Sequence, residues 1–211
     1  MILYKNYFVL IIALLIGLLL ILPDKSSSVE QSDIIIDSQM SFEEAVAGSE
    51  APRHVIDSLC IVDVEYYSFD GKLHRGQLVV HKELKMDVIE IFELIKKKKF
   101  PVNHAIPIVE YDWNDNKSMA ANNTSAFCYR YIAGTKRLSN HSYGRAVDIN
   151  PFDNPVIYAD GKISPKGAVY DTSKPGVFTA SNPIVKEFIG RGWRWGGNFK
   201  SLKDYHHFDK Y

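Results

Sequence analysis

Residues 60–80 read CIVDVEYYSFDGKLHRGQLVV. Val, Ile and Tyr crowd Cys60 to Phe69, Asp70-Gly71 is a strong turn signal, and Leu73 to Val80 resumes an extended pattern. The stretch therefore predicts a β-hairpin. From Glu83 to Lys99, apolar residues recur at Leu84, Val88, Ile91, Phe92 and Ile95, the spacing of one helical face. A hairpin leading into a helix is not the βαβ alternation of a parallel sheet. The irregular mixture continues downstream. Ile106 to Tyr111 predicts a strand, and the polar residues from Asp112 to Ser125 a long loop of the kind that lines binding sites. Ala126 to Ile132 and Arg145 to Ile149 read as short extended segments, and Asn182-Pro183 caps a helix running to about Arg191. The expected class is α+β, a single domain with a small antiparallel sheet flanked by helices.

Upstream of the hairpin the character changes twice. Phe8 to Leu22, FVLIIALLIGLLLIL, carries no charge and is apolar on all sides. It is longer than an ordinary signal-peptide core and slightly short of the roughly 20 residues that span a bilayer. Residues 1–23 are expected to be an uncleaved signal anchor, with a cleaved signal peptide as the alternative. Either places the remainder of the chain outside the cytoplasm, tied to the membrane or secreted. Residues 24–55 open with Lys25-Ser26-Ser27-Ser28 and read as a tether with a short helix near Phe42 to Ala47, leaving 56–211 as the folded domain.

The chain has 211 residues, 46% of them hydrophobic, which excludes a wholly disordered polymer. Its 25 basic and 25 acidic residues cancel, so no global cationic excess draws it to nucleic acid, and no nucleic-acid partner is expected. The basic run Lys96 to Lys99 falls in the last turn of the predicted helix, where cations suit the macrodipole. Cys60 and Cys128 are too few for a disulfide scaffold, and their spacing does not decide whether they pair.

The residues with chemical potential lie in two later segments. Ser139 to Asn150 reads SNHSYGRAVDIN, with His141 and Asp148 either side of a turn that Gly144 permits. In the strand after that turn, Ala146, Asp148 and Asn150 share one face and Val147 and Ile149 the other. Near the far end, Trp195-Gly196-Gly197 leads into Asp204-Tyr205-His206-His207-Phe208. Two imidazoles and one carboxylate with an open fourth position, as on His141, Asp148 and His207, describe a catalytic zinc site. Spacing alone equally allows His141 and Asp148 to be a hydrogen-bonded loop pair and His206-His207 a surface feature. Zinc brings the pKa of a bound water near neutrality, and a second carboxylate then accepts its proton during attack on a carbonyl. Asp204 is placed by sequence to be that base. His206 is the alternative third ligand; neighbours on a strand point oppositely, so only one of the pair serves. Trp193 and Trp195 are expected to pack beside the metal loop rather than stack on sugars.

These residues resemble the zinc D-alanyl-D-alanine carboxypeptidases of the VanY type and the related L-alanyl-D-glutamate endopeptidases of phage and bacillus. The pattern S-x-H-x-x-G-x-A-x-D appears as Ser139 to Asp148, and W-G-G followed by D-x-x-H-F as Trp195 to Gly197 and Asp204 to Phe208. Ser118-Met119, Asn122 to Phe127, Tyr129-Arg130 and Asn150-Pro151 look like the same family's intervening segments, so the resemblance runs from about Gly76 to Phe208. It implies zinc on His141, Asp148 and His207, with the D-x-x-H register favouring His207, and Asp204 as general base where relatives often carry Glu. It implies that Arg130 steadies the polarised carbonyl or the substrate carboxylate, and that Ser125 and Ser139 hydrogen-bond the substrate or the ligands. The implied substrate is a peptidoglycan stem peptide, cut by a monomer at the terminal D-Ala or, alternatively, within the stem. Asn198-Phe199 stands where relatives carry an aspartate-tryptophan pair, which bears on the wall of the substrate pocket. The superfamily includes the hedgehog signalling domain, whose role is binding, so a non-catalytic zinc-bearing module is the rival; the retained Asp204 speaks against it.

Overall fold

The structure, a computed structural model, describes residues 34–211. The expected anchor or signal segment lies outside the described residues, among which no helix is long and apolar enough to cross a membrane. Strand β1 (Ile35–Ile36) pairs in parallel with β3 (Leu73–His81), and β2 (Leu59–Tyr67) pairs with β3 as the predicted antiparallel hairpin. Two short helices, α1 (Phe42–Ala45) and α2 (Arg53–Ile56), lie between β1 and β2. Ser41 begins α1 with a capping box, its hydroxyl accepting from Glu44 N while Glu44 accepts from Ser41 N. The described part of the stretch expected as a tether is thus folded. Ala45 and Val55 are buried with Leu59, Val79 and Phe127, and Asp37 accepts hydrogen bonds from Tyr66 and His74 of the hairpin.

Helix α3 (Lys85–Lys97) crosses the hairpin, burying Val88, Ile91, Phe92 and Ile95 against Val62, Val64, Tyr66, Leu78 and Val80. Each of these larger side chains contributes about 1.5–3 kcal/mol on leaving water. The same core takes in Val147, Ile149, Phe188 and Phe208, so the hairpin and helix brace the later segments from behind. Beyond α3, β4 (His104–Ala105) pairs in parallel with β5 (Asn123–Thr124). The strand expected over Ile106 to Tyr111 is not formed. Pro107 has no N–H for a ladder, and it caps a 3-10 turn at Ile108–Tyr111 instead. The expected loop holds helix α4 (Asp115–Ala120), capped by Asn114, whose side chain accepts from Lys117 N.

In place of the one small antiparallel sheet expected, the α+β fold has four small sheets among the described residues. One runs β6 (Ala146–Asp148), β11 (His207–Asp209), β9 (Arg194–Trp195), antiparallel throughout. Another runs β10 (Leu202–Asp204), β7 (Val156–Tyr158), β8 (Ile163–Ser164), also antiparallel. Helix α5 (Pro183–Gly190) starts at the Asn182 cap as predicted and packs Phe188 on Phe208, ring centroids 3.9 Å apart. Cys60 and Cys128 are unpaired thiols.

Candidate metal centre

Each donor is placed by a different piece of backbone. Ser139 caps a 3-10 turn at Asn140–Tyr143, its hydroxyl accepting from His141 N at 3.3 Å, and this turn carries His141 inward. Gly144 ends the turn at φ +63°; a Cβ there would lie 2.7 Å from His81 N, which donates to Gly144 O at 2.8 Å. Only glycine allows the loop to sit this close to the hairpin. Asp148, on β6, is held by Ser125 through paired backbone bonds of 2.8 and 3.0 Å, and it stands opposite His207 on β11.

The three side chains converge. His141 Nε2 lies 3.1 Å from His207 Nδ1 and 3.2 Å from Asp148 Oδ2, while His207 Nδ1 lies 2.9 Å from Asp148 Oδ1. Among the described residues this is the group able to hold a metal ion. The donors suit zinc: tetrahedral ligands at zinc–nitrogen distances of about 2.0–2.1 Å are about 3.3 Å apart. The tautomers suit it too. His141 Nδ1 donates to Ala126 O at 2.5 Å, which leaves the Nε2 lone pair facing the cluster. With His207 Nε2 3.3 Å from Asp209 Oδ2, the same holds for His207 Nδ1.

The charges are arranged for a cation. Burial resists ionisation of Asp148, but His141 and His206 outweigh it and hold the carboxyl well below its ordinary range. Burial likewise opposes a charge on His207, and the Asp148 and Asp209 carboxylates prevail, raising it well above the usual histidine value. A proton occupies ground that a metal would take. Burial, reinforced by Asp115, pushes the Cys128 thiol up to about 12, so it stays a thiol and not a nucleophile.

His206 turns the other way from His207. Its Nδ1 donates to Asn154 O at 2.7 Å, and its Nε2 lies 3.0 Å from Asp204 Oδ1 and 3.7 Å from Asp148 Oδ2. Asp204 Oδ1 is buried, and despite that proximity it makes no hydrogen bond among the described residues. It ends β10, opposite Val156. Gly196 explains the Trp-Gly-Gly motif physically, because a Cβ there would lie 2.3 Å from Asp204 O and 2.8 Å from Asp204 Cβ. Trp195 Nε1 donates to Tyr205 O at 2.9 Å, fastening the other side of the same turn. Gly196→Ala is therefore expected to displace Asp204 while zinc binding by His141, Asp148 and His207 stays that of wild type. A crystal structure of the variant and its metal stoichiometry read the two effects.

Arg130 is tied to this region but not free. Its Nη2 lies 3.0 Å from Asp115 Oδ2, and its buried Nε has no partner among the described residues. Burial works against its charge, yet Asp115 and Asp148 hold the guanidinium above its ordinary value. Ser125 and Ser139 are both buried; Ser125 holds Asp148 by backbone bonds, and the Ser139 hydroxyl accepts from His141 N. Trp193 and Trp195 are buried as well, which leaves neither free to stack on a sugar. Phe199 has its ring centroid 6.0 Å from that of His207. Sequence reasoning passed over Asp115 and Asp209. The alternation of β11 puts Asp209 on the face of His207, a signal that was present; nothing local to Asp115 marks it as the partner of Arg130.

Residues 133–210 match the family described as D-alanyl-D-alanine carboxypeptidase. The match includes His141, Asp148, Asp204 and His207 and leaves Ser125 and Arg130 outside it. It supports the superfamily that the two motifs resemble. No solved structure matches the chain.

Proposed function

We propose that this chain is a zinc-dependent peptidase of the VanY kind that hydrolyses peptidoglycan stem peptides, first of all at the terminal D-Ala-D-Ala bond. It works as a monomer outside the cytoplasmic membrane, held there by its N-terminal hydrophobic segment or secreted. The observation that carries the reading is the convergence of His141 Nε2, Asp148 and His207 Nδ1, with Asp204, a carboxylate outside that set, against His206, which in turn reaches Asp148. Zinc on those three donors would supply a Lewis acid and an acidified water. Asp204 takes the proton of the attacking water and returns it to the leaving amine. Arg130, always charged, steadies the negative charge that develops on the carbonyl. Gly196 and the β7–β10 pairing hold Asp204 in place while this occurs.

One observation favours a second reading, an L-Ala-D-Glu type endopeptidase. Arg130 is already paired with Asp115, and a neutralised guanidinium has less charge to offer a terminal carboxylate. The test is to incubate the zinc-loaded chain with purified muropeptides and follow the products by mass spectrometry. Release of D-Ala is the expected result, and a cut within the stem supports the endopeptidase. If no muropeptide is cleaved by a zinc-replete sample, the chain is instead a zinc-bearing binding module.

A further inference from the structure

We infer that Asp209 is a positioning residue for His207, orienting its imidazole so that Nδ1 faces the metal-ligand cluster. The inference rests on the reading of His207 as a ligand, but not on any reaction. His207 and Asp209 are two residues apart on β11 and so share one face. Asp209 is 3% exposed, and its Oδ2 lies 3.3 Å from His207 Nε2, on the far side of the ring from Asp148. A carboxylate at that distance favours the tautomer with its proton on Nε2, which leaves the Nδ1 lone pair directed at the cluster.

Asp209 is itself held, and by groups that reach the other ligands. Arg194 grips it at both oxygens, Nε to Oδ1 at 2.7 Å and Nη2 to Oδ2 at 2.5 Å. Such a two-point grip fixes the carboxylate plane as well as its place. Arg194 is in turn seated over the Tyr211 ring, 4.2 Å from its centroid, with Phe199 at 5.8 Å. Asn140 Nδ2 donates to Asp209 Oδ2 at 2.7 Å. Asn140 directly precedes His141, so one carboxylate joins the turn bearing one imidazole to the strand bearing the other. A purely structural ion pair would need only Arg194. The contacts to His207 and Asn140 are what point to orientation of the ligands.

The test uses the full-length chain in mild detergent and zinc alone as the probe. Asp209→Asn keeps size and removes the charge. Zinc affinity, measured by competition with a chromophoric chelator, is expected to fall about 10–100-fold. An affinity within twofold of wild type would overturn the inference. Because a variant can fail to fold, a second measurement is made on the zinc-loaded wild type labelled with ¹⁵N-histidine. The Nε2 proton of His207 is expected to be downfield-shifted and slow to exchange, as for a proton held by a buried carboxylate. Exchange at the rate of a solvent-exposed imidazole would equally overturn it. Neither readout needs a peptide, so a chain that binds zinc but cleaves nothing refutes the proposed hydrolysis and leaves the role of Asp209 standing.

Discussion

Asp204→Ala is expected to reduce muropeptide cleavage by about 10²–10⁴-fold, the usual contribution of a positioned general base, without changing the zinc content. The two effects separate because Asp204 lies outside the group of donors that converge. Its side chain is only 20% exposed, and its Oδ1 is buried without a hydrogen bond. No donor occupies that oxygen, so its lone pairs are open to a proton. Asp204→Asn should lose nearly as much, since the amide preserves size and cannot take the proton. Turnover by mass spectrometry, with zinc per chain by elemental analysis, checks both. Activity within tenfold of wild type in either variant would remove Asp204 from the mechanism.

Asp148→Asn is expected to abolish cleavage by a different route, through loss of the metal. The substitution removes the one anionic donor of the three, so zinc affinity should drop beyond the roughly 10–100-fold typical of losing an outer partner. It should also weaken the metal-free fold, because removing one member of a buried charge cluster costs on the order of 3–5 kcal/mol. The sign of the pH dependence is set by Asp148 being depressed in the folded state. Its contribution is complete above the unfolded carboxylate value of about 3.9 and is lost as pH falls through the lower folded value. The stability gap between wild type and variant should therefore be wide at pH 7 and close in strong acid. Denaturant titrations of the metal-free proteins at the two extremes measure it; equal gaps would contradict the burial and pairing described for Asp148.

The legibility of the sequence varied with how local the governing physics was. The hairpin, α3 and α5 were readable because turn, period and cap signals lie within a few residues of what they determine. His141, Asp148 and His207 were nameable because their chemistry is concentrated in two short motifs. The side chains of His206 and His207, inseparable by composition, are parted by strand alternation, one toward Asn154 and Asp204 and the other into the cluster. The folding of residues 34–55 onto the sheet was not legible, since it depends on Asp37 meeting Tyr66 and His74 across the fold. Ile106 to Tyr111 misled because β-branched composition outweighed the single proline in the pattern. Asp115 was invisible for the same reason as Asp37: its partner, Arg130, is distant in sequence and close only in space.

Asp204 and His207 are three positions apart, yet they belong to different sheets. Asp204 answers to β7 through Val156, and His207 answers to β6 through Asp148. Along the chain Tyr205 and His206 join the two, and Gly196, directly after β9, packs on Asp204. On the proposed reading the site is divisible: one ladder carries donors for the ion, the other the base.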